Sequence, residues 1–173
     1  METHQHCQEP AKLLVDFAGL LPKGKSLDIA MGEGRNALYL ASQGFEVEGL
    51  ERSEEAVKTC LATANARQLR LVARVVDLEQ YQLKTAHYHL ITCFYYLQRS
   101  LIPQIRTALK PGGMVVYETF LIDNHLQFGH PKHREYCFEH NELLNFFRDF
   151  RLLFYYEGMI ERTFVAQLVA QKQ

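Results

Sequence analysis

Apolar residues along the chain alternate between two periods. Leu13, Leu14, Phe17 and Leu20 or Leu21 recur at helical spacing, with Pro10 suited to the first helical position and 22–25 (Pro-Lys-Gly-Lys) ending the run. Residues 26–30 then read as a strand, 36–43 as a helix stopped by Gly44, and 45–50 as a second strand. Ser53 is a good N-cap, with Glu54 and Glu55 at the positive end of a helix running to about Arg67. Strands follow at 71–76 and 88–94. Ser100 predicts the cap of a further helix with Pro103 in its first turn, an apolar stripe from Leu101 to Leu109, and Lys110 at its negative end. Pro111, Gly112 and Gly113 are expected to stop it before a strand at 114–119. No period marks 120–136, which reads as a long loop. Leu143, Leu144, Phe146, Phe147 and Phe150 predict a last helix, and 151–157 and 163–170 two strands turning near Gly158.

Strands alternating with helices predict an α/β fold: a single Rossmann-like, doubly wound sheet, mostly parallel with one antiparallel strand near the C-terminus. The domain is expected over 10–173, after a polar tail at 1–9. A length of 173 residues suits one domain and leaves no room for a separate lid. The net charge of -1 offers no basic field for nucleic acid or an anionic membrane. Cys7, Cys60, Cys93 and Cys137 form no CxxC pair, the pattern of reduced thiols in a cytoplasmic protein. No signal peptide and no membrane span are expected.

Ligands of such sheets bind at the carboxyl ends of the strands. After the first strand comes Asp28-Ile29-Ala30-Met31-Gly32-Glu33-Gly34-Arg35-Asn36-Ala37, whose glycines permit a tight turn and close backbone approach. G-x-G-x-x-A fits the dinucleotide fingerprint, but a carboxylate at Asp28 suits a cation and opposes a pyrophosphate. Arg35 is suited either to a phosphate or to solvent. Glu51 ends the second strand, where an acid accepts hydrogen bonds from ribose hydroxyls, or stands as a surface acid at a helix start. Asp77 ends the third, placed for an adenine amino group with Leu78 against the ring, or as a turn former.

These residues carry a resemblance. Residues 27–53, LDIAMGEGRNALYLASQGFEVEGLERS, resemble motif I and the ribose acid of class I S-adenosylmethionine-dependent methyltransferases. VVDLE is similar to their adenine segment and LKPGGMVVYETF to their fifth-strand region. Within that family the chain most resembles the small tellurite-resistance-type methyltransferases, which act on chalcogen oxyanions and small thiols. The resemblance implies S-adenosylmethionine as cofactor, held by Asp28, Met31, Gly32, Gly34, Asn36, Glu51, Arg52, Asp77, Leu78, Phe94 and Tyr95. Met31 departs from the Cys or small residue of many relatives. The fourth-strand segment Cys93-Phe94-Tyr95-Tyr96-Leu97 lacks the Asn/Asp-Pro-Pro-aromatic motif of nucleic-acid amino methyltransferases.

The expected reaction is in-line transfer of a methyl group to a small molecule, with positioning as the main contribution. Tyr95 and Tyr96 are candidates either to close over the methyl donor or to pack as apolar rings with their hydroxyls in water, and Glu118 is either a base or a salt-bridge partner. His133 and Arg134 are candidates to attract an oxyanion or move a proton. His130, His133, Cys137 and His140 lie within eleven residues, but their spacing matches no zinc motif and no metal is assigned. Two other readings stay open: an NAD-binding oxidoreductase, and a non-catalytic protein that binds the cofactor and regulates a partner. Oligomeric state is not legible.

Overall fold

A computed structural model describes residues 8–173. Most of the polar tail expected at 1–9, with His4, His6 and Cys7, lies outside the described residues. Seven strands form one sheet: β1 (Lys25–Ile29), β2 (Glu46–Glu51), β3 (Leu71–Val75), β4 (Tyr88–Phe94), β5 (Leu109–Phe120), β6 (Arg151–Ile160) and β7 (Thr163–Gln171). Their order is β3-β2-β1-β4-β5-β7-β6. β1 to β5 pair in parallel, and β7 runs antiparallel to both β5 and β6. One strand thus opposes six, as the pattern predicts.

Helices cover both faces. α1 (Lys12–Phe17), α2 (Arg35–Ser42) and α3 (Glu54–Ala66) supply Leu13, Leu14, Leu38, Leu40, Val57 and Cys60 to a core against Val47, Leu90, Val116 and Val169. α4 (Ile102–Ala108) and α6 (Glu142–Phe146) pack Ile102, Ile105 and Leu143 over Ile29, Ile91, Val115 and Leu168. The alternation of strand side chains between these two cores is what a parallel sheet buried on both faces requires.

Several boundaries differ from expectation, each for a tertiary reason. Pro10 lies outside α1, whose N-cap is Ala11. Ser53 does cap α3, its hydroxyl accepting from the Ala56 amide at 3.2 Å. Ser100 does not cap α4; it lies inside a single 3-10 turn, Arg99–Leu101. Pro111, Gly112 and Gly113 fall inside β5, where the register with β4 slips between Tyr88 and Leu90. Lys110 therefore belongs to the strand, and Lys172 instead donates to the Arg106 and Leu109 carbonyls at 2.6 and 2.9 Å. The expected loop at 120–136 contains α5 (Ile122–Phe128), closed by Gly129 at φ 65°, and a 3-10 turn at Arg134–Tyr136. The last helix stops at Phe146. β6 runs straight through Gly158, and the chain turns at Glu161 and Arg162 because pairing persists to Ile160 opposite Thr163.

Candidate active site

A cleft of about 710 Å³ opens at the carboxyl ends of β1 and β4. Asp28, Met31, Gly32, Asn36, Phe94 and Tyr95 line it, six of the residues expected there. Arg35, Glu33 and Glu161 add charge to its walls, and Gln8 closes one side.

Asp28 lies at its floor, 2 % exposed. Parallel pairing sets it directly beside Thr92, whose hydroxyl donates to Oδ1 at 2.8 Å. Among the described residues, Oδ2 is the one buried side-chain nitrogen or oxygen with no hydrogen-bond partner. Desolvation dominates and pushes the Asp28 carboxyl up to about 7; the Thr92 hydroxyl, Arg35 and the Ala37 amide pull the other way, and Glu51 adds repulsion. A buried carboxylate left short of partners is a receptor for a cation.

The loop after β1 is built for close approach. Gly32 has φ 58°, and a Cβ there would meet nothing within 4 Å, so the space above it is open to a ligand. Gly34 has φ 86° and begins α2; a Cβ there would sit 2.3 Å from Cys60 Sγ. Gly34 is thus committed to the contact between α2 and α3. Met31 turns its thioether onto Gly49 of β2 and is 6 % exposed. Its side chain fills the core beneath the loop, as an adaptable residue can.

The remaining expected residues divide. Glu51 Oε2 accepts from the Gly32 amide at 2.8 Å, and Oε1 from the Arg52 and Ser53 amides at 2.8 and 2.9 Å. This carboxylate ties the two loops together, with three of about four lone-pair directions occupied. Arg52 is exposed and takes part through that amide. Asn36 is 4 % exposed, and its Oδ1 accepts from the Ala11 amide at 2.8 Å, anchoring α1 beside the cleft. Arg35 reaches the Glu9 carbonyl at 3.1 Å. Asp77 is exposed and closes a turn on the Glu79 amide at 3.0 Å, the turn-forming alternative. Leu78 is buried in the core and does not line the cleft.

His133 and Arg134 are not brought to the cleft wall. Arg134 is paired with Glu139 at 2.8 Å, and His133 lies edge-on to Tyr136. The two sit at the 3-10 turn that follows α5, where Glu139 and Tyr136 engage them. His140 pairs with Asp123 at 2.5 Å, which raises its pKa through the hydrogen bond and the charge. Among the described residues no three His, Cys, Asp or Glu side chains converge as metal ligands.

Two contributors went unforeseen. Thr92 stands among Ile91, Cys93 and Phe94 in β4, and its role comes from the register that sets its hydroxyl level with Asp28 in the adjacent strand. Gln167 faces Glu118 across the β5–β7 pair, both nearly buried. Asp28, Thr92, Glu118 and Gln167 thereby share one face of the sheet.

The family description "Tellurite resistance protein TehB" matches residues 3–165. A "Probable S-adenosyl-L-methionine-dependent methyltransferase TehB" of Haemophilus influenzae is 25 % identical over 154 residues, covering 86 % of this chain and 53 % of the relative. "Hemagglutinin 1" of Eikenella corrodens is 28 % identical over 145 residues, covering 78 % and 46 %. The chain thus spans about half the length of these curated relatives. The crystal structure of TehB from Haemophilus influenzae superposes with a TM-score of 0.81 at 23 % identity, covering 92 % of this chain and 61 % of that one. That likeness establishes the fold.

Proposed function

This chain belongs to the tellurite resistance protein TehB family, and on that premise we propose that it transfers a methyl group from S-adenosylmethionine to a small nucleophile. The observation that carries the reading is Asp28: a buried carboxylate with one unpartnered oxygen at the floor of a cleft. It fits a ligand bearing ammonium and sulfonium charge and opposes a pyrophosphate. When bound, S-adenosylmethionine supplies an electrophilic methyl group. Asp28 would hold the cationic end, the open space above Gly32 would admit it, and Glu51 retains about one lone-pair direction for a hydroxyl donor. Phe94 and Tyr95 would wall the acceptor side.

The acceptor is a small molecule in this reading, with thiols and chalcogen oxyanions first to test; a net charge of -1 supports no nucleic-acid substrate. No helix of the described residues is long and apolar enough to cross a membrane. Cys60, Cys93 and Cys137 are free and buried, which supports a cytoplasmic setting.

Calorimetric titration with S-adenosylhomocysteine, with NADH run beside it, tests the cofactor. Binding of the first alone is expected, and an acceptor screen with thiols, selenite and tellurite follows. Binding of NADH alone would make the Gly32 loop a dinucleotide site and remove the reading.

A further inference from the structure

Tyr95 stands where the cleft meets β5, and its backbone has φ 54°. This left-handed conformation is costly for an aromatic residue and persists only when its surroundings enforce it. Residue 118 supplies that enforcement twice. The Tyr95 amide donates to the Glu118 carbonyl at 2.8 Å, and the Tyr95 hydroxyl to Glu118 Oε1 at 3.0 Å. The ring also lies against Phe120, with centroids 5.0 Å apart. Glu118 itself is 9 % exposed, and the Gln167 amide donates to its other oxygen, Oε2. Both of these hydrogen bonds are donated to the carboxylate, which makes it an acceptor. Gln167 has no proton to exchange at neutral pH, so among the described partners of Glu118 the titratable route to the cleft runs through the hydroxyl of Tyr95, a half-exposed residue that lines it. Burial and the neighbouring carboxylate raise the Tyr95 pKa, which keeps the phenol protonated and able to donate.

We propose that Tyr95 and Glu118 form a proton relay for a neutral, protic acceptor, a phenol or a thiol, in place of a pre-ionised oxyanion. The proposal rests on the methyltransferase reading above. The charges around the relay support the substrate class. Glu118 from β5 and Glu161 from the β6–β7 turn both bear on Tyr95, with Arg35 from α2 as the opposing cation. Asp28 and Glu33 line the same cleft. An anionic acceptor would meet four carboxylates there, Asp28, Glu33, Glu118 and Glu161, against two guanidinium groups, Arg35 and Arg67, whereas the rings of Phe94 and Tyr95 offer an aromatic wall. In the step itself the acceptor's lone pair forms the bond to the methyl carbon, and the carbon–sulfur bond breaks with its electron pair left on sulfur. The acceptor's proton passes to the Tyr95 oxygen as the Tyr95 proton passes to Glu118 Oε1. Glu118 then returns its proton to water through the same tyrosine.

The test pairs Glu118→Gln and Tyr95→Phe with a panel of phenols and thiols, some ionised and some un-ionised at the assay pH, together with selenite and tellurite. S-adenosylhomocysteine titration of wild type and Glu118→Gln comes first. Failure of the wild type to bind would remove the methyltransferase reading and the relay with it. With binding intact in both, Glu118→Gln is expected to lower kcat/KM by about 100-fold for un-ionised acceptors and hardly at all for ionised ones. Tyr95→Phe should repeat the selectivity and serves alone if Glu118→Gln does not fold. An equal loss across the panel makes the pair structural and overturns the relay. So does turnover of selenite or tellurite without any protic acceptor, or no turnover at all by a protein that binds S-adenosylhomocysteine.

Discussion

The ends of β1 and β2 each present a carboxylate to the same glycine loop, in opposite circumstances. Glu51 receives three backbone amides and is only partly buried. Asp28 is fully buried, receives the Thr92 hydroxyl on one oxygen, and has no partner for the other. Glu51 is satisfied by the protein and holds the loops in place whether or not a ligand is present. Asp28 is held ready for something the protein does not supply, and its raised pKa records that cost. The contrast separates two acids that look alike in sequence: a carboxylate largely satisfied by the protein's own amides, and one that, in the proposed reading, is left for the ligand to satisfy.

The largest expected effect breaks the contrast at Asp28. The folded chain holds this proton up to about pH 7, while the unfolded chain releases it near 3.8. The ligand-free protein therefore loses stability as pH rises through that window and levels off above it, by up to about 4 kcal/mol. Asp28→Asn removes the buried charge. It should raise the Tm of the ligand-free protein at pH 8, with the gain vanishing toward pH 4, and weaken S-adenosylhomocysteine binding by at least about 100-fold. In the wild type, affinity for this ammonium-bearing ligand should fall as pH drops below 7, approaching tenfold per unit. Scanning calorimetry and titration at several pH values check both halves. A variant that binds as the wild type does would show that Asp28 does not meet the ligand.

A smaller effect belongs to Glu51. Glu51→Ala leaves the Gly32, Arg52 and Ser53 amides without their acceptor. Water reaches part of this region, so a loss of about 1.5–3 kcal/mol is expected. Unlike that of Asp28→Asn, it should appear in the stability of the ligand-free protein as well as in affinity. Urea titration separates the cases: unchanged stability with weakened binding would move Glu51 into the ligand-reading class.

The difference between the two acids was not legible in the chain, although both positions were. Asp28 stands on the first strand four residues before the first glycine and Glu51 ends the second strand, and those placements alone located them. β4 was read end to end, Tyr88 to Phe94, from its β-rich composition. What remained hidden depends on register. Thr92 matters because it lies level with Asp28, and Gln167 because it lies opposite Glu118; neither alignment is local. The segment holding α5 is of the same kind. Asn124 is buried there, donating to the His130 carbonyl at 2.7 Å and accepting from the Phe164 amide at 2.8 Å. Those contacts, forty residues apart in one case, hold a short helix whose own composition has little helical preference. His133 and Arg134 look available in sequence because nothing local shows that Glu139 and Tyr136 engage them.

The finest way to sharpen the comparison is Thr92→Val, which keeps the shape of the side chain and removes the hydroxyl that donates to Asp28 Oδ1. The hydrogen bond favours the ionised carboxylate, so its loss should raise the Asp28 pKa further above about 7. A bond of this kind contributes on the order of 1.5 kcal/mol, hence a shift of about one pH unit. The pH at which S-adenosylhomocysteine affinity begins to fall should move up by that amount. Its alkaline plateau should stay where it was, because Thr92 loses the same bond in the free and the bound protein. A lowered plateau with no shift would mean that Thr92 touches the ligand directly, and the distinction between a residue that tunes Asp28 and one that reads the ligand would have to be redrawn at β4.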